Sequence, residues 1–505
     1  MALTKRYVIS RFLMARTRTK CLFIFFFSVA LYIVVSFITL LFRENGVLDV
    51  PASFVESEKL ELSSVNLRYL PRTNVEKHVW RGYEQERDAD ASEISDSNES
   101  RNQLPDIESE NNGEDNMQGP KPRFLYVFRY YEQLGRATAN ILALASLAKF
   151  KNRAIVVPFV NNSRMSGLPG GVSHYYRKVE KVKNYAPLDT YFDVQDFNFK
   201  LESHGYSIFK RFHDLEHHCS NRFQVVVHFL FDKEDFMKNT ASWYRASDAE
   251  VKAVYKQAKE HNGWIDCPWI KRSRLSKQIG FKISRYVCVD PEVIRSGQEL
   301  EDKVLQGATC VGIVQWRGTG DERTHFPLHP AITNPLQPSD LEFNANLVRI
   351  ARNFVKNTFK GKFIGVQVRS ERHVQRKGAN VTRRCFEKLA ARVQESREAI
   401  HARQVYLASD LTDYGSDTLR DIAGANDRQS LSLFLHKLLN KPETFDPTGI
   451  LYDNGAIAIV EIHILSMATR LFTLGGGNYQ EWAVGLFLKR HNDESRRIHR
   501  MCELV

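Results

Sequence analysis

Three apolar runs in the last third of the chain end on residues suited to holding an anion. Phe363-Ile-Gly-Val-Gln-Val is followed by Arg369, Val405-Tyr-Leu-Ala-Ser by Asp410, and Leu471-Phe-Thr-Leu by Gly475-Gly476-Gly477-Asn478. A guanidinium fixed at a strand end suits bidentate contact with phosphate oxygens. Glycines let backbone approach a ligand, and a helix starting near Asn478 turns free N–H groups toward an anion. Asp410 can accept hydrogen bonds from a ribose or a guanine edge, or serve only as a turn or helix-cap aspartate. Gripping a nucleoside diphosphate is the chemistry these residues allow, and an arginine aimed at a leaving diphosphate can lower a barrier by ~3 kcal/mol. The bland alternatives are a surface arginine and a plain glycine turn.

A second set lies upstream. Gly135 permits a sharp turn between an apolar strand and a helix, and Glu132, Arg136 and Asn140 are expected to face a cleft, with Arg317 lining it from a later strand. Transfer to a hydroxyl needs a base, and a glutamate partly withdrawn from water can serve. Glu132 is the candidate, with a solvated turn glutamate as its alternative. His213, His217 and His218 invite a metal reading, but no other feature fixes a coordination geometry, and no metal is expected.

Positioning these residues requires strands that alternate with helices. Arg123–Phe128 and Ala154–Phe159 read as strands around a helix spanning Ala137–Phe150; Phe223–Phe231 and Ser284–Val289 read as further strands, with a helix over Val251–His261. Beyond Cys310 the alternation is regular. Strands at Val311–Gln315, Lys362–Val368, Gln404–Ser409 and Arg470–Leu474 alternate with helices at Leu341–Phe359, Arg383–Ala399, Ile457–Met467 and Gln480–Arg490. The pattern predicts an α/β chain with two Rossmann-like, parallel-sheet domains, residues 121–310 and 311–505.

The remainder is not a globular core. Cys21–Phe42 is an uncharged apolar stretch of 22 residues, long enough at ~1.5 Å per residue to cross a ~30 Å hydrocarbon layer. It lacks the small-residue cleavage site of a signal peptide. Lys5, Arg6, Arg11, Arg16, Arg18 and Lys20 precede it with no acid among them, so residues 1–20 are expected in the cytosol and the rest in a lumen, as a type II protein. Residues 43–120 lose the apolar period, turn acidic, and read as a disordered stem, with a small helical subdomain around Val50–Tyr83 as the alternative.

The sequons at Asn98, Asn161 and Asn380 suit a lumenal address, as do the six cysteines beyond Cys21, which allow ~15 pairings if all are bonded. The net charge of +12 draws anionic substrates toward a basic cleft or is only solvated surface; a lumenal chain does not meet nucleic acid.

Taken together, the Gly135-Arg136 turn, Asn152-Arg153-Ala-Ile-Val-Val-Pro158, Ile364-Gly-Val-Gln-Val-Arg369, Val405–Asp410 and Gly475–Trp482 resemble the GDP-fucose-dependent fucosyltransferases, including the protein O-fucosyltransferases. The resemblance spans about Lys121 to His491 and implies a GT-B fold whose first domain lies on the acceptor side and whose second holds the nucleotide across a cleft, with GDP-fucose as donor, a glycan or glycoprotein acceptor, and inverting transfer without a metal or other cofactor in the Golgi or the ER. It assigns Arg369, Gln367, Asp410, Gly475, Gly476, Gly477, Asn478, Tyr479 and Gln480 to the donor. Two positions depart from the family pattern: the histidine of His-x-Arg is Gln367, and the last loop reads Asn478-Tyr479-Gln480. Glutamine hydrogen-bonds but carries no proton or charge as imidazole does. A catalytically silent binder of a glycan or nucleotide therefore stands beside the transferase, as does the same fold with another nucleotide sugar.

Overall fold

The computed structural model describes residues 122–169, 185–244, 246–267, 269, 280–411 and 417–502. The expected tail, membrane span, stem and Asn98 lie outside these residues. Among the described residues no helix is long and apolar enough to cross a membrane.

Two largely parallel sheets carry the chain. The first contains β1 (Arg123–Val127), β2 (Arg153–Val156), β6 (Phe209–Lys210), β7 (Arg222–Phe229), β8 (Trp264–Asp266), β9 (Lys282–Val289) and β10 (Cys310–Ile313) in the order β6-β2-β1-β10-β7-β9-β8. Only β8 runs antiparallel to its neighbour. β3 (Phe159–Asn161), β4 (Arg164–Ser166) and β5 (Ala186–Pro187) form a small separate antiparallel sheet. The second main sheet contains β11 (Phe363–Val368), β12 (Gln404–Ser409), β13 (Arg470–Leu474) and β14 (Ile498–Met501), all parallel, in the order β12-β11-β13-β14.

The strand expected at Val311–Gln315 does not open the second sheet. It lies between β1 and β7 in the middle of the first, with Leu125 opposite Val311 and Val311 opposite Val225. The first half of the molecule therefore continues past residue 310. All four β10 residues are buried, as any central strand requires, and an apolar run by itself carries no sign of which sheet it joins.

Six helices bear on the site: α1 (Leu134–Ala148), α2 (Ala345–Thr358), α3 (Glu371–Lys377), α4 (Ala379–Ile400), α5 (Asn454–Ser466) and α6 (Asn478–Arg490). Ile364, Val366 and Val368 of β11 pack with Phe386 and Leu389 of α4. Phe363, on the opposite face, joins the core containing Leu465 of α5. Alternate residues of β11 thus bury both faces, which explains an apolar run broken only by Gln367.

That second core also runs into the first half, where Leu125 and Ile141 join the cluster that holds Trp482 of α6. Phe192 stacks on Trp482 with ring centroids 6.0 Å apart and planes 10° from parallel. Asp453 caps α5 through the N–H groups of Gly455 and Ala456 (2.8 and 3.0 Å) and accepts the Tyr191 hydroxyl and the Asn162 N–H. The six cysteines beyond Cys21 pair as Cys219–Cys310, Cys267–Cys288 and Cys385–Cys502. The last ties α4 to the residue following β14. Asn161 is half-buried in β3, and Asn380 is exposed in the first turn of α4.

Candidate functional site

The second sheet reverses its strand order around β11. The chain goes from β11 to β12 on one side, then crosses to β13 on the other. A crevice opens beyond the strand ends at such a reversal, and ligands of open α/β sheets lie there. Arg369 follows β11 and Gly475–Gly477 follow β13, so the reversal brings together two residue groups about a hundred positions apart.

Their contact is close. The Arg369 N–H donates to the Leu474 carbonyl at 2.8 Å, continuing the ladder one step beyond the strands. A Cβ at Gly475 would stand 1.9 Å from the Arg369 carbonyl oxygen, and one at Gly477 would stand 2.7 Å from Arg369 Nη1. Both positions have left-handed φ values, +104° and +112°, which side chains rarely adopt. Gly476 faces open space, its N–H donating to Gln480 Oε1 at 2.6 Å. Gly477 caps α6, whose first N–H groups have no intrahelical acceptor. A partly exposed guanidinium, held at 3.7 Å from the Glu371 carboxylate, therefore stands beside a helix N-terminus, an arrangement that attracts phosphate.

Asp410 has a different task from contacting a nucleotide. Its Oδ1 accepts from the Ser370 N–H and hydroxyl (2.9 and 2.8 Å), and its Oδ2 accepts from the Glu371 N–H (2.9 Å). From β12 it thus caps α3, the helix that starts just after Arg369, and fixes the turn that aims the guanidinium. Burial pushes its carboxyl above the usual range, against the pull of those N–H donors and of Arg369. Gln367 is buried at 2 % exposure, on the strand face opposite the Val366 and Val368 side chains. Exposed Asn478 and half-buried Tyr479 open α6, while Gln480 is buried and supports the glycine turn.

Sequence reasoning missed Glu461. It lies in α5 within Ile459-Val-Glu-Ile462, and burial pushes its carboxyl up to about 8, with only the Tyr479 hydroxyl pulling it down. Tyr479 donates to the Ala458 carbonyl at 3.2 Å, so a neutral acid sits beneath the first turn of α6. A lone acid amid β-branched residues was the visible signal.

The first half meets this site at Gly135. A Cβ there would lie 3.4 Å from Asn478 C and Tyr479 N, so the start of α1 touches the start of α6. Arg136 follows, half-buried. Asn140 does not face the cleft. It is buried, its Nδ2 donating to the Tyr131 carbonyl (3.1 Å) and its own carbonyl accepting from Trp316 Nε1 (2.6 Å), so it braces the turn. Glu132 is at the turn with φ +73° and is exposed, lacking the shelter from water expected of a buried base. Arg317 is buried, its guanidinium centre 3.4 Å from the Tyr131 ring centroid and 4.0 Å from that of Phe236. His213, His217 and His218 lie on the short helix Phe212–Cys219, where His218 packs edge-on against Phe124.

No family model matches the chain, and no curated protein does. Among solved structures it is similar to POFUT1 in complex with GDP-fucose, at 12% identity over 77% of this chain and 99% of that chain, with a TM-score of 0.42. It is also similar to the fucosyltransferase NodZ from Bradyrhizobium, at 13% identity over 72% of this chain and 93% of that one, with a TM-score of 0.32. The likeness to these GDP-fucose fucosyltransferases is distant and of fold, and nothing about substrate passes from them to this chain at such values.

Proposed function

We propose that this chain is a glycosyltransferase that moves fucose from GDP-fucose to a hydroxyl of a glycan or glycoprotein with inversion, anchored as a type II protein of the Golgi or ER membrane by residues 21–42. The observation that carries the reading is the meeting of Arg369 with Gly475–Gly477 and the α6 N-terminus at the reversal of the second sheet. Negative charge develops on the leaving diphosphate, and a guanidinium and helix amides fixed in advance stabilise it without reorganising. The N-terminal anchor rests on the apolar stretch and its basic flank alone. Donor charge is met by protein groups in this reading, and activity is expected to survive chelation of divalent cations.

The decisive experiment is a thermal-shift comparison of GDP with UDP, followed by a GDP-fucose turnover assay with glycoprotein acceptors. GDP should stabilise the protein selectively, and Arg369→Ala should remove both that shift and turnover. Preference for UDP would retain the fold and change the donor. The exposed position of Glu132 favours one second reading, a silent relative that binds nucleotide without transfer; GDP binding with no turnover over a broad acceptor panel would establish it.

A further inference from the structure

The first half presents a corner of positive charge beside the donor elements, assembled from four segments. Arg317 is clamped between Tyr131 and Phe236 at 3.4 and 4.0 Å, and its Nε donates to the Thr324 carbonyl at 2.9 Å. The Thr324 hydroxyl contacts His325 Nδ1 at 2.7 Å, placing the imidazole one residue from that bond. Arg136 comes from the first turn of α1, adjacent to the Gly135 contact with Asn478. A cation at a helix N-terminus opposes the helix dipole, so this position does not favour the helix.

The groups perturb one another. Burial, then Arg136 and Arg317, pushes His325 down to about 4, which leaves it neutral. Burial, then Arg164, lowers Arg129 to about 9, and Arg317 contributes to the same effect. Among the described residues, the carboxylates acting on the Arg317–His325 pair are exposed Glu132 and Asp321. Asp321 is already engaged by Arg323, through its N–H at 3.0 Å and Nη2 at 3.3 Å. Arg136 and Arg317 repel beside a low-dielectric wall, with exposed Glu132 acting on Arg317 from the turn, and a bound anion offsets the repulsion that remains.

We propose that this corner is an acceptor subsite for an anionic substituent of a sugar, a sulfate or a carboxylate, held by Arg136 and Arg317 beside the transfer site. The proposal rests on the glycosyltransferase reading and narrows its acceptor class. The aromatic clamp holds Arg317 rigid, so little side-chain freedom is lost on binding, and Arg136 supplies the second contact from across the turn. Nucleotide binding remains with Arg369 and the glycine loop of the second half.

The test is calorimetric titration of the whole protein, without donor, with three tetrasaccharides: sulfated chondroitin, unsulfated chondroitin carrying only carboxylates, and neutral chitotetraose. An anionic ligand should bind at least tenfold tighter than the neutral one, with the preference shrinking as salt rises, and the two chondroitin arms tell sulfate from carboxylate. Arg136→Gln should erase that preference, Arg136→Lys should keep part of it, and GDP affinity should move less than threefold in both. Equal binding of all three ligands overturns the proposal, as does an Arg136→Gln variant that weakens GDP while keeping the saccharide preference. Because no donor is present, absent GDP binding would refute the transferase reading without touching this result.

Discussion

Placing one methyl at Gly475 or at Gly477 should give two different phenotypes, because the two glycines face different atoms of Arg369. At Gly475 the new Cβ would meet the Arg369 carbonyl oxygen at 1.9 Å and its carbon at 2.8 Å. Backbone has no rotamer with which to move aside, so the ends of β11 and β13 must part and the Arg369–Leu474 hydrogen bond must lengthen. Strain at φ +104° costs about 1–3 kcal/mol, and the disrupted bond adds about 1. Including the overlap, we expect Gly475→Ala to lower stability by roughly 3–5 kcal/mol and the melting temperature by roughly 4–7 °C. At Gly477 the Cβ would meet Nη1 at 2.7 Å, the end of a flexible side chain that can swing away. Gly477→Ala should therefore carry the strain of its own φ but lose mainly the aim of the guanidinium. A charge-assisted hydrogen bond is worth about 1.5–3 kcal/mol, so GDP affinity should fall about 10- to 100-fold. Calorimetric titration with GDP and thermal melts measure both effects. In an Arg369→Ala background Gly477→Ala should cost little further affinity, since the residue through which it acts is gone. Full additivity of the two losses, or native GDP affinity in Gly477→Ala, would refute the geometry argued for the site.

Three further outcomes follow from buried charge. Glu461 has its carboxyl raised from 4.5 to about 8 in the folded chain, so the folded state holds an extra proton between those values and stability falls as pH rises through that window. The full penalty is reached above about pH 8, and with partial exposure it is on the order of 2–4 kcal/mol. Glu461→Gln should raise the melting temperature at pH 8.5 and leave it nearly unchanged at pH 4; an equal gain at both would show that the carboxyl is not neutral in the fold. Arg153 is fully buried against Glu301, with Nη2 donating to Oε2 at 2.7 Å, so Arg153→Met should cost about 3–5 kcal/mol by stranding the carboxylate, and adding Glu301→Leu should recover most of it in urea melts. Asp410→Ala removes an acceptor for three hydrogen bonds around Ser370 and Glu371, and should weaken GDP about tenfold through the loosened Arg369 turn, an effect absent in an Arg369→Ala background.

The strands of the second sheet were legible because each is a short apolar run closed by a polar or glycine residue. Gln404–Ser409 and Arg470–Leu474 were read at their observed bounds, and the Arg369–Gly475 convergence follows from their order. Sheet membership was not legible at Cys310–Ile313, since β1 and β7 recruit it across a span of chain whose local pattern is the same for either sheet. β14 was missed because Ile-His-Arg-Met offers no apolar run; its place is fixed by pairing with β13. Of the two readings open for Asp410 the fold takes the helix cap, but which helix it caps was not legible, nor was the bracing role of Asn140. Each side chain satisfies backbone groups of a distant or folded-back segment, and such partners leave no trace in local spacing.

The position that argued most against catalysis in the sequence loses that weight in the fold. Gln367 stands in register with Thr473 across β11 and β13, and the two are 2 % and 0 % exposed. Gln367 Oε1 and Thr473 Oγ1 lack protein partners. An unpaired buried oxygen costs about 1–3 kcal/mol, so this pair is suited to an internal water bridging the strands. A side chain so buried between strand and helix is not placed to hand a proton to a ligand beyond the strand ends. An imidazole buried there would be held neutral by desolvation, as His463 on α5 is, pushed down to about 4. Exchanging such an imidazole for an amide preserves hydrogen bonding and removes no charge from the reacting centre. Under the proposed transfer the burden of stabilising a leaving diphosphate rests on Arg369 and the α6 N-terminus in either case, and the two stand side by side at the strand ends.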